Sequence, residues 1–141
     1  MSQESQKNIP ASSLSSDSAV VASRSMAIDI ARLAHDRHMT EIVLLELAGR
    51  SPVAKHFIIC TGTSAQQIRS VSSEIGELGK EKGSEVFGKA GHQEGRWVVV
   101  DFVDVVVHIF DDDFRHYYDL ELLWGDAPKI DWQRPDTGQP Q

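Results

Sequence analysis

Carboxylates gather at two places in the C-terminal half of the chain. Asp101 and Asp104 flank a turn between two apolar runs, and Asp111-Asp112-Asp113 closes the second run. Acids beside strand ends are raw material for two-metal nucleotidyl transfer. That chemistry needs carboxylates converging from neighbouring strands and separate donors for a triphosphate. Only the acids can be read here. The simpler reading makes Asp101 and Asp104 turn residues that accept from backbone N–H groups. The Asp111–Asp113 triplet then caps the next helix, where negative charge suits the dipole.

The histidines and the single cysteine are weaker candidates. His35 and His38 lie three apart, a spacing that can hold a metal but that also suits imidazolium at a helix C-terminus. His108 alternates with Val107 and Ile109, which places it on the opposite strand face, as a ligand, a base or a hydrogen-bonded half-buried ring. His56, His92 and His116 show no zinc-ligand spacing. Cys60 sits in an apolar run and reads as a small core residue; alone, it has no internal disulfide partner. Gly62-Thr63-Ser64 opens a helix, and such a turn can hold an anion. It lacks the lysine of a P-loop and the three glycines of a dinucleotide fingerprint. No metal and no cofactor are expected.

Trp97 raises a different possibility. On a strand, Trp97, Val99 and Asp101 share one face while Val98, Val100 and Phe102 share the other. If the first face is open, it offers an aromatic anchor, an aliphatic neighbour and a carboxylate rim, the composition of a protein-binding hot spot. If it is closed, Trp97 is core. The alternation alone leaves both open.

The elements that position these residues follow from periodicity. Residues 1–17 and 127–141 are polar, with prolines, and read as a disordered N-terminal and a flexible C-terminal tail around a domain spanning 18–126. A helix starts near Asp17 or Ser18 and carries Met26, Ala27, Ile30, Leu33 and Ala34 on one stripe. Strands are expected over 41–47 and 56–61, apolar on both faces as covered strands are. A second helix has Ser64 and Gln67 at capping-box spacing and Ile68, Val71, Ile75 and Leu78 as its stripe. A weaker, glycine-rich strand over 85–91 and a hairpin loop over 92–96 precede the two apolar strands. An aromatic helix running to Trp124 ends the domain. The order α-β-β-α-β-β-β-α predicts an α/β fold with a mixed five-stranded sheet flanked by helices.

The chain has 141 residues and a net charge of −7. No Lys/Arg cluster offers the basic face that sequence-specific nucleic-acid binding needs, and an acidic surface suits a basic partner. No apolar run approaches the roughly 18 residues of a membrane span. The N-terminus lacks a secretory pattern, and one cysteine fits a reducing, cytoplasmic compartment.

A set of short matches recurs in order along the chain. They are Ile42-Val43-Leu44 followed by Gly49 and Ser51, then Phe57-Ile58-Ile59-Cys60-Thr61-Gly62-Thr63-Ser64 with Gln67. Gly95, Trp97, Asp101 and Asp104-Val105-Val106-Val107-His108-Ile109-Phe110 come next, then Arg115, Tyr118, Leu120-Glu121, Leu123-Trp124 and Gly125-Asp126-Ala127-Pro128. Together they make most of residues 22–126 resemble the ribosomal silencing factor family, also called Iojap-like proteins. One departure is Lys55-His56-Phe57, where the family usually reads Asp-Tyr-Phe.

The resemblance implies a nucleotidyltransferase-like fold without catalytic apparatus, and a translational repressor rather than an enzyme. It implies binding to the large ribosomal subunit through a basic ribosomal protein, number fourteen of that subunit, so that joining of the small subunit is blocked. It also implies a homodimer off the ribosome. The family's interface region maps to Trp97, Val99 and Asp101, with Arg115, Tyr117 and Tyr118 from the last helix. Trp97 would anchor, Asp101 would meet a basic side chain and Arg115 would brace the local acids. The competing expectation is a magnesium-dependent nucleotidyltransferase using Asp101, Asp104 and the Asp111–Asp113 triplet.

Overall fold

In a computed structural model of the chain, residues 16–52 and 54–135 are described. Helix α1 (Ser16–Asp36) precedes strands β1 (Thr40–Glu46) and β2 (His56–Gly62). Helix α2 (Ala65–Glu81) leads to β3 (Gly88–Ala90), β4 (Trp97–Asp101) and β5 (Val105–Asp111). A short helix α3 (Asp112–Tyr118) and a 3-10 turn (Leu120–Trp124) follow. The strands form one open sheet in the order β1-β2-β5-β4-β3. β2 and β5 are parallel and the other neighbours antiparallel.

β5 is the centre of the sheet because nothing in it tolerates water on either side. Val105 to Phe110 are all buried, the continuous apolar reading of a strand covered on both faces. Under α1 and α2 lies the larger core, with Ala27, Ile30, Leu44, Ile58, Ile68, Ile75, Val98, Val107 and Ile109. A fully buried side chain of this size contributes about 1.5–3 kcal/mol. On the other face a smaller cluster of Leu45, Leu47, Ile59 and Phe110 is covered by Phe114, Leu120 and Trp124. That cover is short, so it shields β1, β2 and β5 better than β4.

Local chemistry sets the boundaries. Ser64 caps α2 by accepting from the Gln67 N–H at 3.0 Å. Gln67 Oε1 reaches back to the Thr63 N–H at 2.6 Å, one residue beyond the reciprocal bond of a standard capping box. The strand expected over 85–91 shrinks to Gly88–Ala90, and Gly91 ends it by turning the chain at a φ of +79°. The single C-terminal helix expected to reach Trp124 breaks at Asp119, which is left-handed at φ 44° and ψ 55°. Aspartate tolerates that region better than most side chains. The break redirects Leu120 and Trp124 onto the smaller cluster.

The expected tails divide. Residues 1–15 and 136–141 lie outside the described residues, while Ser16 and Asp17 already belong to α1. Residues 127–135, expected to be a flexible tail, instead run along β1 and α1. Lys129 bridges Leu45, and the Ile130 N–H donates to the Leu44 carbonyl at 2.8 Å. Arg32 Nε donates to the Trp132 carbonyl at 2.7 Å. Arg134 meets Asp36 through two 2.9 Å bonds. This strap covers the outer edge of β1, the usual way a sheet edge is kept from pairing elsewhere.

Candidate protein-binding face

The acids fail the geometry of metal-assisted transfer. Asp104 lies just before β5 and Asp111 ends it. Seven residues of strand, at about 3.3 Å each, separate those positions by roughly 20 Å. Asp101, paired opposite Val106, shares the Asp104 end, so these two and the Asp111–Asp113 triplet cannot close on one metal pair, and the nucleotidyltransferase expectation is corrected. Asp101 Oδ1 accepts from the Val103 N–H at 2.7 Å across the turn. Asp104 pairs with Lys55 at 3.4 Å. Asp111 Oδ1 caps α3 by accepting from the Phe114 N–H at 2.8 Å. Among the described residues, Glu41, Asp112 and His116 group closely enough to be metal ligands, and all three are exposed. They already engage one another and the sheet: His116 Nδ1–H donates to the Asp112 backbone carbonyl at 2.9 Å, the Asp112 carboxylate lies 3.4 Å from the same nitrogen, and Glu41 accepts from Thr61 Oγ1 at 3.1 Å.

The histidine and cysteine readings resolve as packing. Cys60 is fully buried, and burial pushes its thiol up to about 12. His56 is fully buried and bonds Ser23 Oγ at 2.7 Å, its pKa lowered chiefly by desolvation.

Trp97 lies on the half-open face. Along β4, Val98 and Val100 are buried while Trp97, Val99 and Asp101 are intermediate. The register sets Trp97 against Phe110, Val99 against His108 and Asp101 against Val106 on β5. The indole stacks on Phe110 at 4.9 Å and leans on Tyr118 at 4.8 Å. Tyr118 meets Tyr117 edge-on at 4.9 Å. Tyr117 is 80% exposed and Tyr118 46%. Trp97, Tyr118 and Tyr117 thus make one aromatic patch running from sheet to helix. Asp113, 3.8 Å from Arg96, and Asp119, next to Tyr118, are exposed at its margin, while Asp112 is exposed toward Glu41 and His116. Arg96, paired with Asp111 at 2.6 Å and 4.1 Å above the Phe114 ring, fixes the start of β4 against α3. Gly95 lets the chain enter β4: its φ is +69°, and a Cβ there would lie 2.8 Å from that of Ala65.

Not all expected site residues meet. Asp101 sits at the far end of β4, four residues from Trp97. Arg115 is only 5% exposed. It binds the Glu41 carbonyl at 2.8 Å, Thr61 Oγ1 at 2.9 Å and Glu121 at 3.1 Å. It braces α3 against the sheet, and its fork has no reach to a partner. His108 is the hydrogen-bonded ring among the expected alternatives, and its partner was not anticipated: its Nδ1 accepts from the Trp97 indole N–H at 3.1 Å. Diagonal spacing across paired strands is the signal that could have found it. Leu122, 75% exposed on the 3-10 turn, is an exposed apolar residue that the expectation did not include.

A family profile described as "ribosomal silencing factor during starvation" matches residues 20–141. The chain belongs to this ribosomal silencing factor family. A ribosomal silencing factor from Bacillus subtilis is 46% identical over 96 residues, 68% of this chain and 81% of that protein. One from Halalkalibacterium halodurans is 41% identical over 96 residues, 68% of this chain and 82% of that protein. A crystal structure of a Chromobacterium violaceum protein matches with a TM-score of 0.66 at 31% identity, over 83% of this chain and 90% of its own. Members of the family are named for silencing ribosomes, a regulatory role. Among the described residues no helix is long and apolar enough to cross a membrane.

Proposed function

We propose that this protein represses translation in the cytoplasm by binding the large ribosomal subunit, through its basic protein number fourteen, and so obstructs joining of the small subunit. The observation that carries the reading is the patch of Trp97, Tyr118 and Tyr117 with the Asp113 carboxylate, 3.8 Å from Arg96, at its margin. An aromatic centre buries apolar area at low entropic cost, and the acidic rim selects a basic partner. Val99 extends the apolar strip, and Asp101 lies at its end.

The test is co-sedimentation with isolated large subunits. Removing a central interface aromatic commonly costs about 2 kcal/mol, roughly thirtyfold in affinity. Trp97→Ala and Tyr117→Ala should both release the protein from the subunit. Tyr117 is largely exposed, so its loss separates binding from folding. Undiminished co-sedimentation of both variants would remove this face from the interaction.

A further inference from the structure

His108 is 8% exposed and its Nε2 has no hydrogen-bond partner. Buried polar atoms are ordinarily satisfied, so an orphan calls for a reason. Among the described residues the ring makes one hydrogen bond, accepting at Nδ1 from the Trp97 indole at 3.1 Å. An indole N–H can only donate. Nδ1 must therefore carry a lone pair, and in the neutral ring the proton sits on Nε2. A phenylalanine or leucine would fill this apolar site without stranding a donor. What the imidazole adds is a single acceptor aimed at Trp97.

The surroundings make that acceptor directional. Phe57 packs against the imidazole at 4.9 Å, tilted by 56°, and Phe110 lies nearly parallel to it at 6.3 Å. Held between them, the ring offers Nδ1 at one place. Trp97 has Phe110 on one side and Tyr118 on another, and the bond to His108 selects among the orientations this packing allows. The indole N–H is thereby used internally, which leaves the ring carbons to meet a partner.

We propose that His108, as its Nε2–H tautomer, is a positioning residue that holds the Trp97 indole in one orientation for partner binding without touching the partner. The proposal rests on the reading of Trp97 as part of the ribosome-binding face. Burial supports it by pushing the imidazole pKa down to about 4, against the pull of Asp101, so the acceptor persists at neutral pH.

Indole ¹⁵N–¹H spectra of the whole chain test the positioning without any ribosome, with the Trp97 resonance assigned by its loss in Trp97→Phe. In the unsubstituted protein this N–H should exchange slowly with water; fast exchange overturns the lock before any His108 variant is made. His108→Phe should shift the resonance and remove its protection, while His108→Gln, which keeps an acceptor, should restore part of both. An unmoved resonance in His108→Phe overturns the positioning. On isolated large subunits His108→Phe should bind about tenfold more weakly, the equivalent of one side chain losing its pre-organisation. Binding as tight as the parent despite a shifted resonance overturns the functional half. If Trp97→Ala also binds normally, the face itself is wrong, and the spectra still report on the hydrogen bond.

Discussion

At the scale of single residues, polar groups in this protein are decided by what surrounds them and not by their type. His108 looked like a half-buried structural histidine in the sequence, and burial is what it has. Its hydrogen bond to Trp97 follows from the diagonal of the β4–β5 pair only once the register is known, and strand alternation alone does not fix that register. Trp97 was ambiguous for a related reason: alternation says which residues share a face, not which face is covered. Arg115 was expected at an interface and is buried, since a guanidinium can satisfy a backbone carbonyl, a hydroxyl and a carboxylate at once.

The buried histidines make a pH prediction. Burial lowers the pKa of both His108 and His56. A depressed folded pKa means that protonation favours the unfolded chain. Stability from these groups is therefore full above about pH 6.5, the unfolded value, and falls as pH drops toward about 4 for His108. Urea unfolding at pH 7 and pH 5 should show the protein losing stability. His108→Gln should lose less over that interval, by on the order of 1–2 kcal/mol. Equal losses in the two proteins would mean that His108 is not the titrating group.

At the scale of elements, the sheet was the readable part. Valine-rich runs bounded by turn residues announced β4 and β5, and capping residues announced α2. What escaped was any element ended by backbone geometry that its residue types do not demand. Asp119 adopts a left-handed turn without being glycine, so the last helix was read as continuous. The strap over 127–135 was read as tail because Pro128 and Pro135 dominate its composition. Trp132 was the contrary signal: its indole donates to the Ile42 carbonyl at 3.3 Å and its ring meets His35 at 5.5 Å. Ending the chain at Ala127 should therefore lower the unfolding temperature and bare the β1 edge. Light scattering should then find self-associated material, as open edges invite strand pairing. A monodisperse truncated protein of unchanged melting temperature would show that the strap adds nothing.

At the scale of the whole molecule, its two ends of chemistry point away from catalysis and toward contact. The carboxylates that suggested a metal site are spread over opposite ends of β5 and are engaged in turn, cap and ion pair. The aromatic residues converge instead, where the short α3 leaves β4 half covered. The chain's net charge of −7 has the sign that draws in a basic surface. Family membership gives a regulatory role in silencing ribosomes, and the proposal adds that the protein acts by occupying a surface.

The most direct test mixes purified large and small subunits with and without the protein and follows ribosome formation by light scattering. Pre-incubating the large subunit with the protein should depress joining in proportion to occupancy, and Trp97→Ala should relieve the block at equal concentration. Joining that proceeds undisturbed while the protein remains bound to the large subunit would contradict the account.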